Sequence, residues 1–272
     1  MRQIKDMWII QIDVTNLCNK SCCNCTRFCG HYTKERIYFM DLKYIEDILI
    51  TLKDFQGTVG IMGGEPLLHP QFPQILELFK KYRAYDKRGL WTNNKDCMKY
   101  AGNYFITNNI IINEHTGDFI SKHTPLLTSS ESIKNKYNIS QDTINKCIDK
   151  CWIQNEWSAT INPKGAFFCE VAGMLSYLFN GVDGINIYDH PDWWKYDLSK
   201  YQYQIDWACK KCGGALPLKS KKSDIQIDDV SEDNLEELKK IDSPKIKANK
   251  YRIYDDGFHQ DDEKRDYLWN WK

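Results

Sequence analysis

The chain has 272 residues, enough to bury a full core as one large domain or as one domain with a smaller appendage. Its 37 basic and 37 acidic side chains cancel, so no global field draws it to nucleic acid or to an anionic membrane. An apolar run near the start ends at Asp13 without a small-residue cleavage pattern, no stretch approaches the roughly 18 apolar residues of a membrane span, and the eleven cysteines fall largely at metal-ligand spacings, which together imply a cytoplasmic protein with reduced thiols.

Residues 8 to 14 read as a buried strand that delivers a cysteine loop at its C-terminal end. In that loop Cys18, Cys22 and Cys25 stand at C-x3-C-x2-C spacing. Three close thiolates suit a compact soft-metal centre, an iron-sulfur cluster or zinc. They leave one position open, whereas a structural centre normally takes a fourth cysteine or histidine. Asp41 then offers an N-cap, and Leu42, Ile45, Leu49 and Leu52 recur at helical spacing up to Gly57. The pattern repeats: Thr58 to Met62 is strand-like and runs into Gly63-Gly64-Glu65-Pro66, and Phe72, Ile75, Leu76 and Phe79 mark the next amphipathic helix. Gly89 to Thr92 gives a third strand, followed by Asn93 and Asn94, and Tyr104 to Asn113 a fourth, centred on Ile110-Ile111-Ile112. Such alternation implies a parallel sheet. Glu114 and His115 fall at the C-terminal end of the fourth strand, where barrel-like folds place active sites; exposed loop residues would look the same. Ser140 caps a helix through Ile144, Cys147 and Ile148 that leads into Cys151.

From Cys151 the grammar changes. Asn162-Pro163-Lys164-Gly165 makes a turn between two strand-like runs, Cys169 ends the hairpin, and Glu170 to Phe179 reads as a helix. Gly181 to Trp207 reads as an aromatic, loop-rich stretch before Cys209 and Cys212 at C-x2-C spacing. Beyond Gly214 the chain is charged, basic from Lys219 to Lys222 and acidic from Asp255 to Asp266, with a surface helix expected over Asp228 to Ile241. These runs read as solvated faces without a partner. The aromatic residues 267–271 either dock on the body or cover a substrate site. Cys23, Cys29, Cys97 and Cys147 read as packed or loop thiols.

The cysteine loop, followed about forty residues later by Ile61-Met62-Gly63-Gly64-Glu65-Pro66-Leu67-Leu68-His69-Pro70, resembles the radical S-adenosylmethionine (SAM) superfamily. The resemblance implies an α/β fold, a partial (β/α) TIM-like barrel over residues 1–150, with four of the family's six strand-helix units recognisable. It implies that Cys18, Cys22 and Cys25 hold a [4Fe-4S] cluster whose fourth iron chelates SAM. Gly63, Gly64 and Glu65 would hold the SAM amino group. Thr92-Asn93-Asn94 resembles the family's third-strand TNG end near the SAM ribose, with Asn94 in place of the glycine. Asn24 stands where an aromatic residue near the adenine is common. The order Cys151, glycine turn, Cys169, Cys209, Cys212 is similar to the twitch domain, the shorter relative of the SPASM domain. That implies a second, auxiliary [4Fe-4S] cluster on those four residues, in a small cysteine-rich hairpin and helix domain over 151–214. Gly165 lies one residue closer to Cys169 than usual, and Cys147 stays open as an alternative to Cys151. A charged C-terminal extension would cover 215–272.

The expected activity is reductive cleavage of SAM and hydrogen abstraction by the 5'-deoxyadenosyl radical from a small or sugar-like substrate. The auxiliary cluster would take the substrate electron, and a low-potential donor such as flavodoxin or ferredoxin would supply the first. Two enzymatic alternatives stay open: an epimerase, in which an unassigned cysteine returns a hydrogen atom, and a peptide-modifying enzyme. The latter often carries an N-terminal leader-binding domain, for which a first strand starting by Trp8 leaves no room. A non-enzymatic zinc protein would explain the thiols but not the GGEP segment.

Overall fold

The computed structural model describes residues 1–113, 115 and 120–259. Strand β1 (Ile9–Asp13) has Ile10 and Ile12 buried on one face and Gln11 and Asp13 buried on the other, as a central parallel strand requires. Asp41 accepts from the amides of Lys43 and Tyr44 and so starts α1 (Leu42–Thr51), which turns Ile45, Ile48 and Leu49 inward. Next come β2 (Thr58–Met62), α2 (Phe72–Tyr82), β3 (Arg88–Thr92), the short α3 (Met98–Ala101) and β4 (Ile110–Ile112). The four expected strand signals thus lie where the sequence places them.

After β5 (Lys122–His123) come α4 (Ser130–Lys136), α5 (Gln141–Asp149), capped by Ser140 as expected, β6 (Ser158–Asn162), β7 (Gly165–Phe167) and α6 (Glu170–Phe179). The main sheet has six strands in the order β4-β3-β2-β1-β6-β7. β1 pairs in parallel on both sides, Ile10 facing Val59 of β2 and Ala159 of β6, and only β7 runs antiparallel, against β6. The sheet is open among the described residues, with β4 and β7 at its edges. The hairpin expected in a separate cysteine domain extends this sheet, so pairing runs across the boundary expected after residue 150.

The rest of the chain departs most from the sequence reading. The stretch up to Trp207 passes through short 3-10 turns into α7 (Gln202–Lys211), so Cys209 lies on a helix and Cys212 caps it. After β8 (Lys221–Lys222), the segment expected as one surface helix begins instead as β9 (Asp228–Val230), followed by α8 (Glu232–Lys240), α9 (Pro244–Lys247) and β10 (Tyr251–Ile253), which pairs with β9. Asp228 and Asp229 are buried rather than solvated. Burial is tolerable because both are paired: Asp228 with His31 and Lys245, Asp229 with Lys221 and Arg252. Glu114, residues 260–266 of the acidic run and the aromatic residues 267–271 lie outside the described residues. No helix among the described residues is long and apolar enough to cross a membrane.

Candidate functional site

At the C-terminal end of β1 the chain enters the cysteine loop, and Cys18, Cys22 and Cys25 all face one cavity of about 560 Å³. All eleven cysteines are thiols. Burial pushes Cys22 up, and Cys25 and Cys18 beside it add to the shift. Cys29, read from sequence as a packed or loop thiol, belongs to the same group. It lines the same cavity, and the neighbouring Cys18 and Cys25 thiols, together with burial, push Cys29 well above the ordinary thiol range, while Cys29 holds Cys25 well below it. Of the other unassigned cysteines, Cys23 donates to Ile227 O at 2.8 Å and Cys97 is buried in the main core.

Opposite the loop, Gly63 and Gly64 line the same cavity. Their lack of side chains is required by the protein itself. Gly64 N donates to Thr15 O and Glu65 N to Leu17 O, both at 2.7 Å, and a Cβ on either glycine would strike one of these carbonyl oxygens. Gly63 also has φ +145°, a conformation that side chains rarely adopt. Glu65 is buried and does not line the cavity. Its carboxylate accepts from Thr92 Oγ1 at 2.6 Å, Asn93 N at 2.7 Å and Leu67 N at 3.1 Å, and so brackets the ends of β2 and β3. Thr92 and Asn93 do line the cavity, and Asn93 Nδ2 reaches Asn19 Oδ1 at 3.0 Å.

Asn24 is tied to the C-terminal region. Its Nδ2 donates to Asp229 Oδ2 at 3.0 Å and its Oδ1 accepts from Asp229 N at 2.9 Å. Nearby, Asp228 accepts from Asn24 N, from Lys245 Nζ at 2.7 Å and sits 2.8 Å from His31 Nε2. Burial pushes Asp228 up, but His31 and Lys245 outweigh it and hold its carboxyl below the usual range. Lys245 Nζ also donates to Cys22 O at 2.8 Å. A side chain that looked like a departure from a motif is the clasp between the loop and β9.

The remaining wall mixes charge and aromatic surface. Arg27 is buried and bridges Asp13 at 2.8 Å and Glu170 at 3.0 Å, and both Arg27 and Glu170 line the cavity. Glu170 further accepts from Ser158 Oγ at 2.6 Å and Asp13 from Thr160 Oγ1 at 2.6 Å. His115 and His123 stand edge to face at 5.6 Å. His123 Nδ1 donates to Cys23 O at 2.7 Å, which fixes the tautomer of the neutral ring, and His115 Nδ1 lies 2.8 Å from Ser223 Oγ. Burial, with His123 and Lys20 adding to it, pushes His115 down to about 4. Trp91, Trp152 and Trp157 complete the wall, and the buried Trp91 indole N–H has no partner among the described residues.

The second cysteine group also converges. Cys151, Cys169, Cys209 and Cys212 line one pocket of about 30 Å³ together with Ile153, Phe168, Val171 and Ala208. Cys147 does not: it packs against the separate small cluster of Ile133, Ile144 and Leu216. Burial pushes the Cys169 and Cys209 thiols well up and Cys212 to about 12, and Cys151 adds to all three shifts. Among the described residues, no three His, Cys, Asp or Glu side chains stand around one point as a single ion needs. The donor chemistry of both groups, thiols with neither histidine nor carboxylate among them, nonetheless fits soft-metal sulfur clusters better than hard cations.

No family model matches the chain, and no curated protein matches it. Among solved structures, the chain is similar to BtrN in complex with AdoMet and 2-DOIA, at 17% identity and a TM-score of 0.49, over 76% of this chain and 92% of that one. It is also similar to selenomethionine BtrN in an open conformation, at 16% identity and a TM-score of 0.48, over 79% and 95% of the two chains. Likenesses this remote carry no argument about activity or about single residues.

Proposed function

We propose that the protein is a radical SAM enzyme. One observation carries the reading: Cys18, Cys22 and Cys25, the Gly63-Gly64 backbone and the Thr92-Asn93 end of β3 come from three separate strand ends and line one cavity. In this reading the three cysteines hold a [4Fe-4S] cluster, which supplies, when bound, the electron that cleaves SAM to the 5'-deoxyadenosyl radical. Gly63, Gly64, Thr92 and Asn93 form the SAM cradle. Glu65 keeps that cradle in register by holding Thr92 Oγ1 and Asn93 N, and the SAM amino group falls to the glycine backbone. Arg27, Lys20, Lys122, His115, His123 and Glu170 give the cavity hydrogen-bonding groups on several sides, which suits a small, sugar-like substrate. Its volume lies within the range of small-molecule sites. Cys151, Cys169, Cys209 and Cys212 hold an auxiliary cluster that accepts the substrate electron, as in a twitch-type domain. A cytoplasmic low-potential donor such as flavodoxin or ferredoxin feeds the first centre.

Anaerobic purification tests this directly. A brown protein with roughly eight iron and eight sulfide per chain is expected, forming 5'-deoxyadenosine from SAM with dithionite. The variant C18A/C22A/C25A should retain about half that iron and form no deoxyadenosine. A colourless protein carrying stoichiometric zinc would sink the proposal.

A further inference from the structure

The spacing of the loop counts three ligands, yet four thiols meet at the cavity. Phe28 N donates to Cys25 O at 3.1 Å, and Phe28 itself is left-handed with φ 54°, a costly conformation for a bulky residue. The reversal carries Cys29 back onto the loop. There Cys29 lines the same cavity as Cys18, Cys22 and Cys25.

The segment that carries Cys29 is anchored. Two residues on, His31 is buried between Asp228, at 2.8 Å, and Ser243, at 2.7 Å. A Cβ on Gly30 would strike the Lys245 stem, and Lys245 holds Cys22 O. Asp228 therefore ties together the two arms that carry Cys22 and Cys29. A permanent fourth thiolate would close the centre and leave the cavity beside Gly63 and Asn93 without a ligand to hold.

We propose that Cys29 is a fourth, displaceable ligand of the centre on Cys18, Cys22 and Cys25, occupying the position that the SAM amino and carboxylate groups take. The inference rests on the functional reading above. In the exchange, Cys29 Sγ leaves the iron as a thiolate and takes a proton from solvent in the cavity, and the SAM nitrogen and carboxylate oxygen bond the same iron. No electron moves. If the closed form holds nine molecules in ten, the apparent Kd for SAM is raised about tenfold.

The test uses the full chain, reconstituted anaerobically as wild type, C29A and C29S. Iron content, the paramagnetic resonance spectrum of the reduced protein with and without SAM, and the SAM Kd are measured, with C18A/C22A/C25A giving the second centre's background. The expected result is that both variants change the SAM-free spectrum, match wild type with SAM bound, and bind SAM about tenfold more tightly. Unchanged SAM-free spectra and equal SAM affinity at equal iron content would overturn the role of Cys29 while leaving the functional reading intact. Loss of the first centre's iron in both variants would make Cys29 a permanent ligand and overturn displacement. If neither wild type nor variants bind SAM, the functional reading falls, and this inference with it.

Discussion

The two cysteine groups present the same thiol chemistry in opposite surroundings. The first faces about 560 Å³ bordered by lysines, an arginine, a glutamate and two histidines. The second borders about 30 Å³ among Ile153, Phe168, Val171 and alanines, with Cys169 buried and Cys151, Cys209 and Cys212 partly buried. Three cysteines of the first come from one short loop, whereas those of the second come from just after α5, the N-cap of α6 and the end of α7. A loop-borne group beside a large cavity has room for an exchangeable ligand; a group assembled from three elements around a small apolar pocket has little. One buried bridge joins them. Arg27 lies two residues after Cys25, and its partner Glu170 directly follows Cys169.

The largest effect expected from this contrast is a split between two readouts. C209A/C212A should retain about half its iron and still form deoxyadenosine with dithionite, yet make no product from the true substrate. Normal turnover in a folded C209A/C212A protein would remove the electron-accepting role from the second centre. Loss of deoxyadenosine instead would show that the bridge couples the centres. Cutting the bridge comes next. Arg27→Met leaves Asp13 and Glu170 buried without a counter-charge, which should cost about 3–5 kcal/mol in urea unfolding. Glu170→Gln, which keeps the Arg27–Asp13 pair, should cost less. A loss below about 1 kcal/mol in Arg27→Met would mean that water reaches these carboxylates.

The smallest effect concerns the wet wall. His115 faces His123 on β5, Lys20 on the cysteine loop and the Ser223 hydroxyl, and its pKa is lowered from 6.5 to about 4. Below pH 6.5 the unfolded chain takes up a proton that the folded one refuses until about pH 4. The stability that neutral His115 contributes is therefore complete above pH 6.5 and lost as pH falls through that window. Unfolding free energies between pH 7 and 4 should fall less steeply for His115→Gln than for wild type. Equal slopes would place His115 in water.

The parallel half of the sheet was legible because buried strands are apolar runs and α1 and α2 keep helical periodicity. The convergence of Cys151, Cys169, Cys209 and Cys212 was expected from their order, though not the helix that carries Cys209. What escaped were residues whose partners lie far along the chain. Asp228 and Asp229 read as surface charge because the groups that neutralise Asp228, His31 and Lys245, are not its neighbours in sequence. Asn24 read as a departure because its role is to meet Asp229, 205 positions away. Cys29 was missed because a three-cysteine template stops at Cys25; the fourth cysteine after a tight turn was the available signal.

The Asp228 clasp also sets an order of events. Cys18 to Cys29 leave the ribosome about 200 residues before the strand that fixes them, at a synthesis rate of ~5–20 residues per second. For that interval the loop carries its thiols without the partners of Asn24, His31 and Cys22 O. The cysteine loop is thus made well before it is fixed, and its completion waits on β9 and α9, which contribute no sulfur.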